Sequence, residues 1–543
     1  MKKIIVIISL LFLGIIAVTW LYFKSMSGVE GSKESVFKVI PDNASLVFEY
    51  KNENSFYDIF KDFGLFKDVL GNQSIDHLGA LKRIFVDDKS ISGVFNKSDL
   101  FFSIHQTGKS KSNILIIAPF GKDLNLSESE MIELIKTKYK IIKDSSASDH
   151  SYQIAFSNQS NFHFYIHQKT LIGSFDKSLV EESKAKLTNG KSANQFKIDF
   201  TNPRNRNSIA NLYINFAKLP NFLNNFSSRK NPAETFSLKS IDATASLNIN
   251  YQSNAFMFSG ITEVNQKATN YFNLFLNQQP GQNTLRNIIP NDAADYSFFY
   301  VSDFKRFRKG LDNLFILRKE SEKLKTQLEN IRTKHSINID QELLPVLANE
   351  FGVVQLASGD KIGIVKTNNT NRLSFLLSTI SSPSEDQIKH FDDSFLLYYF
   401  LGDPFKYFRR PYYAIVENHL IVANNSSALK RFLNSYKKQD FLIRTDKNIV
   451  FQQYLSNQGN IFYFIHNSNS KAIISSFLNS TSYTAFKSDD FKWTDIYGLA
   501  IQFSSDKDRF FTNLYMSKIP YQGQLLPKVD SLMIDSLTQS NKK

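Results

Sequence analysis

The feature that most constrains this chain is a recurrence: four landmarks of its first half return about 250 residues later, the mark of a tandem of two similar folding units. The opener Val39, Ile40, Pro41, Asp42, Asn43 and Ala44, followed by Leu46, Val47, Phe48, Glu49 and Tyr50, returns as Ile288, Ile289, Pro290, Asn291, Asp292 and Ala293, followed by Ser297, Phe298, Phe299 and Tyr300. Ile166, Leu171, Ile172 and Ser174, set around a polar turn, return as Ile415, Leu420, Ile421 and Ala423. Asn211 to Phe216 aligns with Asn460 to Ile465, and the alternating Ala245, Leu247, Ile249 and Tyr251 resemble Leu499, Ile501 and Phe503. The expected limits are a first unit over 36–275, a joint at 276–287 around Pro280 and Gly281, a second unit over 288–520 and a tail at 521–543.

Within each unit short alternating strands lead through a polar cap into short amphipathic helices. After Ser55, the residues Phe56, Ile59, Phe60 and Phe63 share one helical face, as do Phe304, Phe307 and Leu311 after Ser302. Asp176 or Ser178 can cap one helix, Ser178 with Glu181 having capping-box spacing, and Asn424 or Asn425 takes that place in the second copy. The closing strand puts Ala245, Leu247 and Ile249 on one face and Ser246, Asn248 and Asn250 on the other, which predicts a mainly antiparallel sheet with one face covered by helices. The fold class is therefore α+β, in two similar units. The second unit departs where Phe304 to Arg332 reads as one long basic helix. Its Lys305, Arg306, Arg308 and Lys309 make a basic surface, either simply solvated or turned toward a partner or membrane.

The compartment is set by the first 27 residues. Lys2 and Lys3 precede an apolar run, Ile4 to Phe23, that ends at Lys24. At 1.5 Å per residue this run spans roughly the 30 Å hydrocarbon layer. Trp20 and Tyr22 mark its far interface, and the two lysines hold the N-terminus in the cytoplasm. A single-pass signal anchor over 1–27 is expected, with the bulk of the chain extracytoplasmic; a signal peptide cleaved near Ser25 to Ser27 is the competing reading. The net charge of +14 would suit an anionic neighbour, and outside the cytoplasm that neighbour is lipid, glycan or protein, with nucleic acid excluded. With 50 phenylalanines and 21% charged residues the chain is built for burial.

Chemistry is scarce. There is no cysteine, so disulfides, thiolate metal sites and a cysteine nucleophile are excluded. Thr107 to Ser110 ends like a phosphate-binding loop, but Ser103 stands where the first glycine belongs, so a hairpin turn is expected. His163 and His167 alternate with Phe162, Phe164 and Ile166 on a strand, where a spacing of four residues, about 13 Å, is too wide for one metal. Asp87 with Asp88, Asp392 with Asp393 and Asp489 with Asp490 lack calcium-loop spacing. No catalytic residue, metal site or cofactor is expected. One interaction patch stands out, Phe405, Lys406, Tyr407, Arg409, Arg410 and Tyr412, in which cations interleave with rings that could instead be core.

At Ile289, Pro290, Asn291, Asp292 and Ala293, and again at Asp340, Leu343, Leu344, Pro345 and Leu347, the chain resembles a family of uncharacterised bacterial envelope proteins. The resemblance implies an anchored envelope protein without an established activity. The expectation is a membrane-anchored, non-enzymatic scaffold or binding protein of the bacterial envelope, inserted through residues 4–23, with an envelope protein, anionic lipid or glycan as partner. The alternative is a lipid- or hydrophobic-ligand-binding protein whose phenylalanines line a cavity. An envelope hydrolase is a third class.

Overall fold

The computed structural model describes residues 33–52, 79, 82, 87–95, 98–106, 112–121, 126–143, 151–155, 161–188, 196, 210–224, 226–228, 241–252, 255–267, 269–385, 387–487 and 493–519. The run Ile4 to Phe23, the helix expected after Ser55, the turn at Thr107 to Ser110, Asp489 with Asp490 and the tail lie outside the described residues. Among the described residues no helix is long and apolar enough to cross a membrane.

The chain divides into two compact units. One draws on Met1–Asn250, Phe258–Ala268 and Phe477–Phe491, the other on Tyr251–Met257, Thr269–Ser476 and Lys492–Lys543. In the first unit the strands are β1 (Leu46–Lys51), β2 (Asp99–Gln106), β3 (Ser112–Pro119), β4 (Ile141–Lys143), β5 (Tyr152–Ala155), β6 (Asn161–His167), β7 (Thr170–Ser174), β8 (Ala210–Asn215), β9 (Ala243–Gln252) and β10 (Ala255–Val264). They pair in the order β4-β5-β6-β7-β3-β2-β1-β8-β9-β10, antiparallel from β4 to β9. Gln106 of β2 pairs with Ser112 of β3, so the two strands are antiparallel neighbours.

In the second unit the strands are β11 (Ala293–Tyr300), β12 (Leu347–Leu356), β13 (Lys361–Thr367), β14 (Ser381–Glu385), β15 (Ile388–Phe391), β16 (Tyr412–Val416), β17 (His419–Ala423), β18 (Ile461–His466), β19 (Ile496–Asp506) and β20 (Arg509–Lys518). Their order is β14-β15-β16-β17-β13-β12-β11-β18-β19-β20, again antiparallel. Each strand has the same neighbours as its counterpart ten places earlier, so the strand arrangement is quasi-symmetric and the fold is a large α+β one.

The register refines one of the landmarks. Glu49 lies opposite Asn211 in the first unit, and the corresponding pair in the second is Phe298 opposite Phe462. Asn211 therefore corresponds to Phe462, two residues beyond the Asn460 that the sequence alignment chose. Asn460 precedes its strand and uses its backbone carbonyl and side chain to hold Tyr300 and Gln279. The two asparagines match in letter and differ in task.

The helices that position these sheets are α1 (Lys89–Phe95), α2 (Glu128–Lys136), α3 (Lys177–Thr188), α4 (Leu219–Asn224), α5 (Phe304–Leu317), α6 (Ser321–His335), α7 (Ile339–Leu343), α8 (Thr370–Thr379), α9 (Leu396–Leu401) and α10 (Ser426–Lys438). After β7, Asp176 accepts from the Ser178 backbone N–H at 2.9 Å at the start of α3, and after β17 Asn425 accepts from the Ala428 N–H at 2.7 Å to cap α10. Asp303, rather than Ser302, caps α5. The long helix read over 304–332 is two helices: α5 ends at Leu317, Lys319 takes a left-handed φ of 59°, and α6 starts at Ser321. The apolar stripe survives the break, with Leu314, Phe315, Leu324 and Ile331 buried.

The first unit has a core built around Val36, Phe37, Val47, Phe101, Leu115, Ile172, Leu179 and Tyr213. In the second unit, one face of the sheet carries Tyr296, Phe298, Val354, Ile362, Ile421 and Phe464, closed by α10 and by Phe441 and Phe451. Its other face is closed as well, a departure from the one-faced cover predicted from alternation. Phe299 stacks on Phe275 and Phe351, and Phe307 of α5 reaches the same group. Helix α5 and the residues around it supply that second layer, which is why β11 reads as nearly continuous burial.

Candidate functional site

The excursion between β15 and β16, residues 392–411, lies on this second layer. Phe395 enters α9 with a left-handed φ of 64°, uncommon for a bulky side chain, and its N–H donates to the Arg409 carbonyl at 2.8 Å. Gly402, with φ 75° and ψ −150°, ends α9 in a backbone region almost confined to glycine. A Cβ there would lie 2.5 Å from Tyr271 and 3.0 Å from Leu311. Pro404 then opens the short helical turn Asp403–Phe405.

The sequence patch divides on folding. Phe405, with Phe408 beside it, is fully buried, and the Cβ that Gly363 of β13 lacks would fall 2.8 Å from one ring and 3.1 Å from the other. Tyr412 pairs with Ala423 and packs on the opposite layer, beside His390. Lys406, Tyr407, Arg409 and Arg410 are exposed, so the alternation of rings and cations separates into buried anchors and a charged rim. The basic helix surface divides in the same way. Lys305, Arg306 and Lys309 are exposed, while Arg308 is buried with its guanidinium 3.8 Å from the Tyr399 ring centre, donating to the Tyr399 carbonyl and to Asp312. Arg306 donates to the Asn277 carbonyl at 2.8 Å.

What joins the excursion to the turn between α5 and α6 is a set of charge-assisted bonds. Arg318 forks onto Asp403 at 2.5 and 3.0 Å and reaches the Thr269 carbonyl at 3.1 Å. Glu320 accepts from Lys406 at 3.0 Å and from the Tyr398 hydroxyl. Burial works against the Glu320 carboxylate, yet the bonds from Tyr398 and Lys406 and the charge of Arg318 hold it below the usual range. Burial and the Glu320 bond push the Tyr398 hydroxyl well up, so it stays a donor. Lys323 of α6 and Arg409 flank the Phe395 ring, each 5.6 Å from its centre, and Lys361 lies 5.2 Å from the Tyr407 ring centre.

The result is one surface with its acids consumed. Asp403 and Glu320 are taken by Arg318 and Lys406, whereas Lys319, Lys323, Arg409 and Arg410 have no carboxylate partner among the described residues. Arg410 donates to Ser394 at 3.1 Å. From sequence, Lys406, Tyr407, Arg409 and Arg410 fall in the patch and Arg318, Lys319 and Lys323 on a separate basic helix; Glu320, Phe395 and the joining of the two were missed, because only the break after Leu317 brings them together.

The chain has no cysteine, and among the described residues no three histidine or acidic side chains group as metal ligands. His163 and His167 lie on β6 as the alternation predicted. A pocket in the second unit, lined among others by Arg286, Tyr296, Gln452, Phe462 and Gln502, has room for about one water molecule.

No protein-family model matches the chain, and no curated protein does, so the envelope-family resemblance rests on its short motifs. A solved structure described as crystal form III of TP0453 aligns with 46% of this chain and 88% of its own, at 8% identity and a TM-score of 0.23. An alignment at that score carries no argument.

Proposed function

We propose that this chain is a non-enzymatic binding protein of the bacterial cell envelope, anchored through residues 4–23, and that its second unit holds an anionic partner on the surface formed by 316–323 and 395–410. The observation that carries this reading is the pairing pattern. The half-buried carboxylates of Asp403 and Glu320 pair with Arg318 and Lys406, and the exposed Glu322 with Lys325, while Lys319, Lys323, Arg409 and Arg410 have no carboxylate partner among the described residues and two of them flank the Phe395 ring. The surplus, on a scaffold locked by Gly402, Phe405 and Phe408, is suited to holding an anion with little reorganisation. The tandem of similar units is read as a duplication.

Of the earlier alternatives, this reading keeps the binding role and moves the ligand from a cavity to the outside. In the second unit Phe299 packs on Phe275 and Phe351 in one layer and Phe451 on Phe464 in the other, ring against ring. The test is to purify the full-length chain from native membranes in mild detergent, beside a variant carrying Lys323→Glu, Arg409→Glu and Arg410→Glu, and to identify the proteins, lipids and glycans in both. An anionic species present with the wild type and lost from the variant supports the proposal. The same species in equal amount with both contradicts it.

A further inference from the structure

We infer that the anionic partner is a phospholipid bilayer surface, and that the turn between α5 and α6 inserts Ile316 and Leu317 into it; this rests on the binding surface proposed above. Ile316 is 58% exposed and Leu317 63% exposed, on the last turn of α5. With Tyr407, 50% exposed, they supply three of the six large apolar side chains left in solvent among the described residues. Nothing in the fold requires this, since α5 already buries Phe307, Leu311, Leu314 and Phe315 on its inner face. The apolar pair is followed at once by Arg318 and Lys319, and the bonds of Arg318 to Asp403 and of Lys406 to Glu320 hold Lys323, Arg409 and Arg410 around the same turn.

The dimensions favour a bilayer over a protein. A stable protein interface buries on the order of 1,000 Å² or more with an apolar centre, and two adjacent aliphatic side chains ringed by unpaired cations do not make one. A bilayer interface asks for less: a short apolar wedge at the headgroup boundary and basic residues, each contributing about 1 kcal/mol, roughly fivefold, near an anionic surface. Leucine and isoleucine supply the wedge, Tyr407 is a ring suited to the headgroup level, and lysines and arginines reach the phosphates. The run Ile4 to Phe23, read as a membrane span, ends ten residues before the described chain begins at Lys33, a reach of at most about 35 Å. The membrane is thus a permanent neighbour, and a weak surface contact is raised by effective concentration.

The absence of cysteine gives a direct test, because one introduced thiol labels uniquely. The full-length chain, with Leu317→Cys carrying a fluorophore, is reconstituted into vesicles of equimolar phosphatidylglycerol and phosphatidylcholine, or of phosphatidylcholine alone, with brominated acyl chains as quencher. Lys437→Cys, exposed near the end of α10, is the control position. The expected result is quenching at 317 only in the anionic vesicles, none at 437, and loss of quenching at 317 to the control level when Lys323→Glu and Arg409→Glu are added. No quenching at 317 in anionic vesicles, or equal quenching in both compositions, overturns the inference. If position 317 is shielded only in native membranes, a protein covers it and the bilayer assignment fails. The binding surface itself still stands if an anionic species co-purifies in a charge-dependent way, and falls with the inference if none does.

Discussion

Single residues set the chemistry that separates the two units. In the first, Glu49 is buried and takes bonds from Lys33, from the Tyr213 hydroxyl and, at 3.2 Å, from Asn211. The corresponding positions of the second unit are Phe298 and Phe462, with Phe464 where Tyr213 stands, so a charged cluster in one copy is a ring cluster in the other. Glu49→Leu leaves the buried Lys33 ammonium with only the more distant Asp99, 3.8 Å away, and should lower the urea stability of the first unit by about 2–4 kcal/mol, most of which the double change with Lys33→Met restores. His105 gives the pH dependence. Burial, and then the charge of Lys186, push its imidazole down to about 3, while Asn43 and Ser103 bond its two ring nitrogens at 2.6 and 2.7 Å. The folded state thus refuses a proton that the unfolded chain accepts below 6.5. The stability is whole above that pH and declines, by about 1.4 kcal/mol per unit from this group, as pH falls toward 3. Urea midpoints at pH 7 and pH 5 should show a loss of about 2 kcal/mol from His105 that is missing in His105→Gln.

Elements explain why the candidate surface was only half legible in the sequence. Alternation found β6 and the closing strands, cap chemistry offered Asp176 and Asn425 among its candidates, and the recurrence found that one strand arrangement is used twice, though not its order. The interaction patch was visible as a composition, Phe405 to Tyr412, but a run of rings and cations does not say which side chains are anchors. Gly363 decides that for Phe405 and Phe408, from a strand some forty residues away in sequence. The break between α5 and α6 escaped because the apolar period runs through it, and a left-handed Lys319 leaves no composition signal. Gly402 is the element-scale test. Alanine there must adopt a backbone region costing about 1–3 kcal/mol and meet Tyr271 and Leu311 as well. Gly402→Ala should lower the thermal midpoint of the second unit and speed amide exchange in α9 and in the turn after α5, while leaving exchange in β1 and β2 unchanged. Uniform loss across both units would show that the excursion is not a local device.

At the scale of the whole molecule, the same ten-strand order is used twice. The Asp340 to Leu347 motif belongs to the second layer of the second unit: Asp340 accepts from Tyr399 at 3.2 Å, Leu343 is buried, and Pro345 opens the turn that delivers β12. A residue pattern that looks like a family signature thus works here as the footing of that layer. What no pattern could supply was the pairing of charges across 85 residues between Arg318 and Asp403, since long-range ion pairs follow from packing and not from spacing. The central claim, that this layer is the binding surface, is tested most directly by hydrogen exchange on the full-length chain, in native membranes and again after purification in detergent. The account predicts slower exchange in membranes over 316–323 and 395–411, with the sheets of both units unchanged. Unchanged exchange over those segments, with protection appearing elsewhere on either unit, would contradict it.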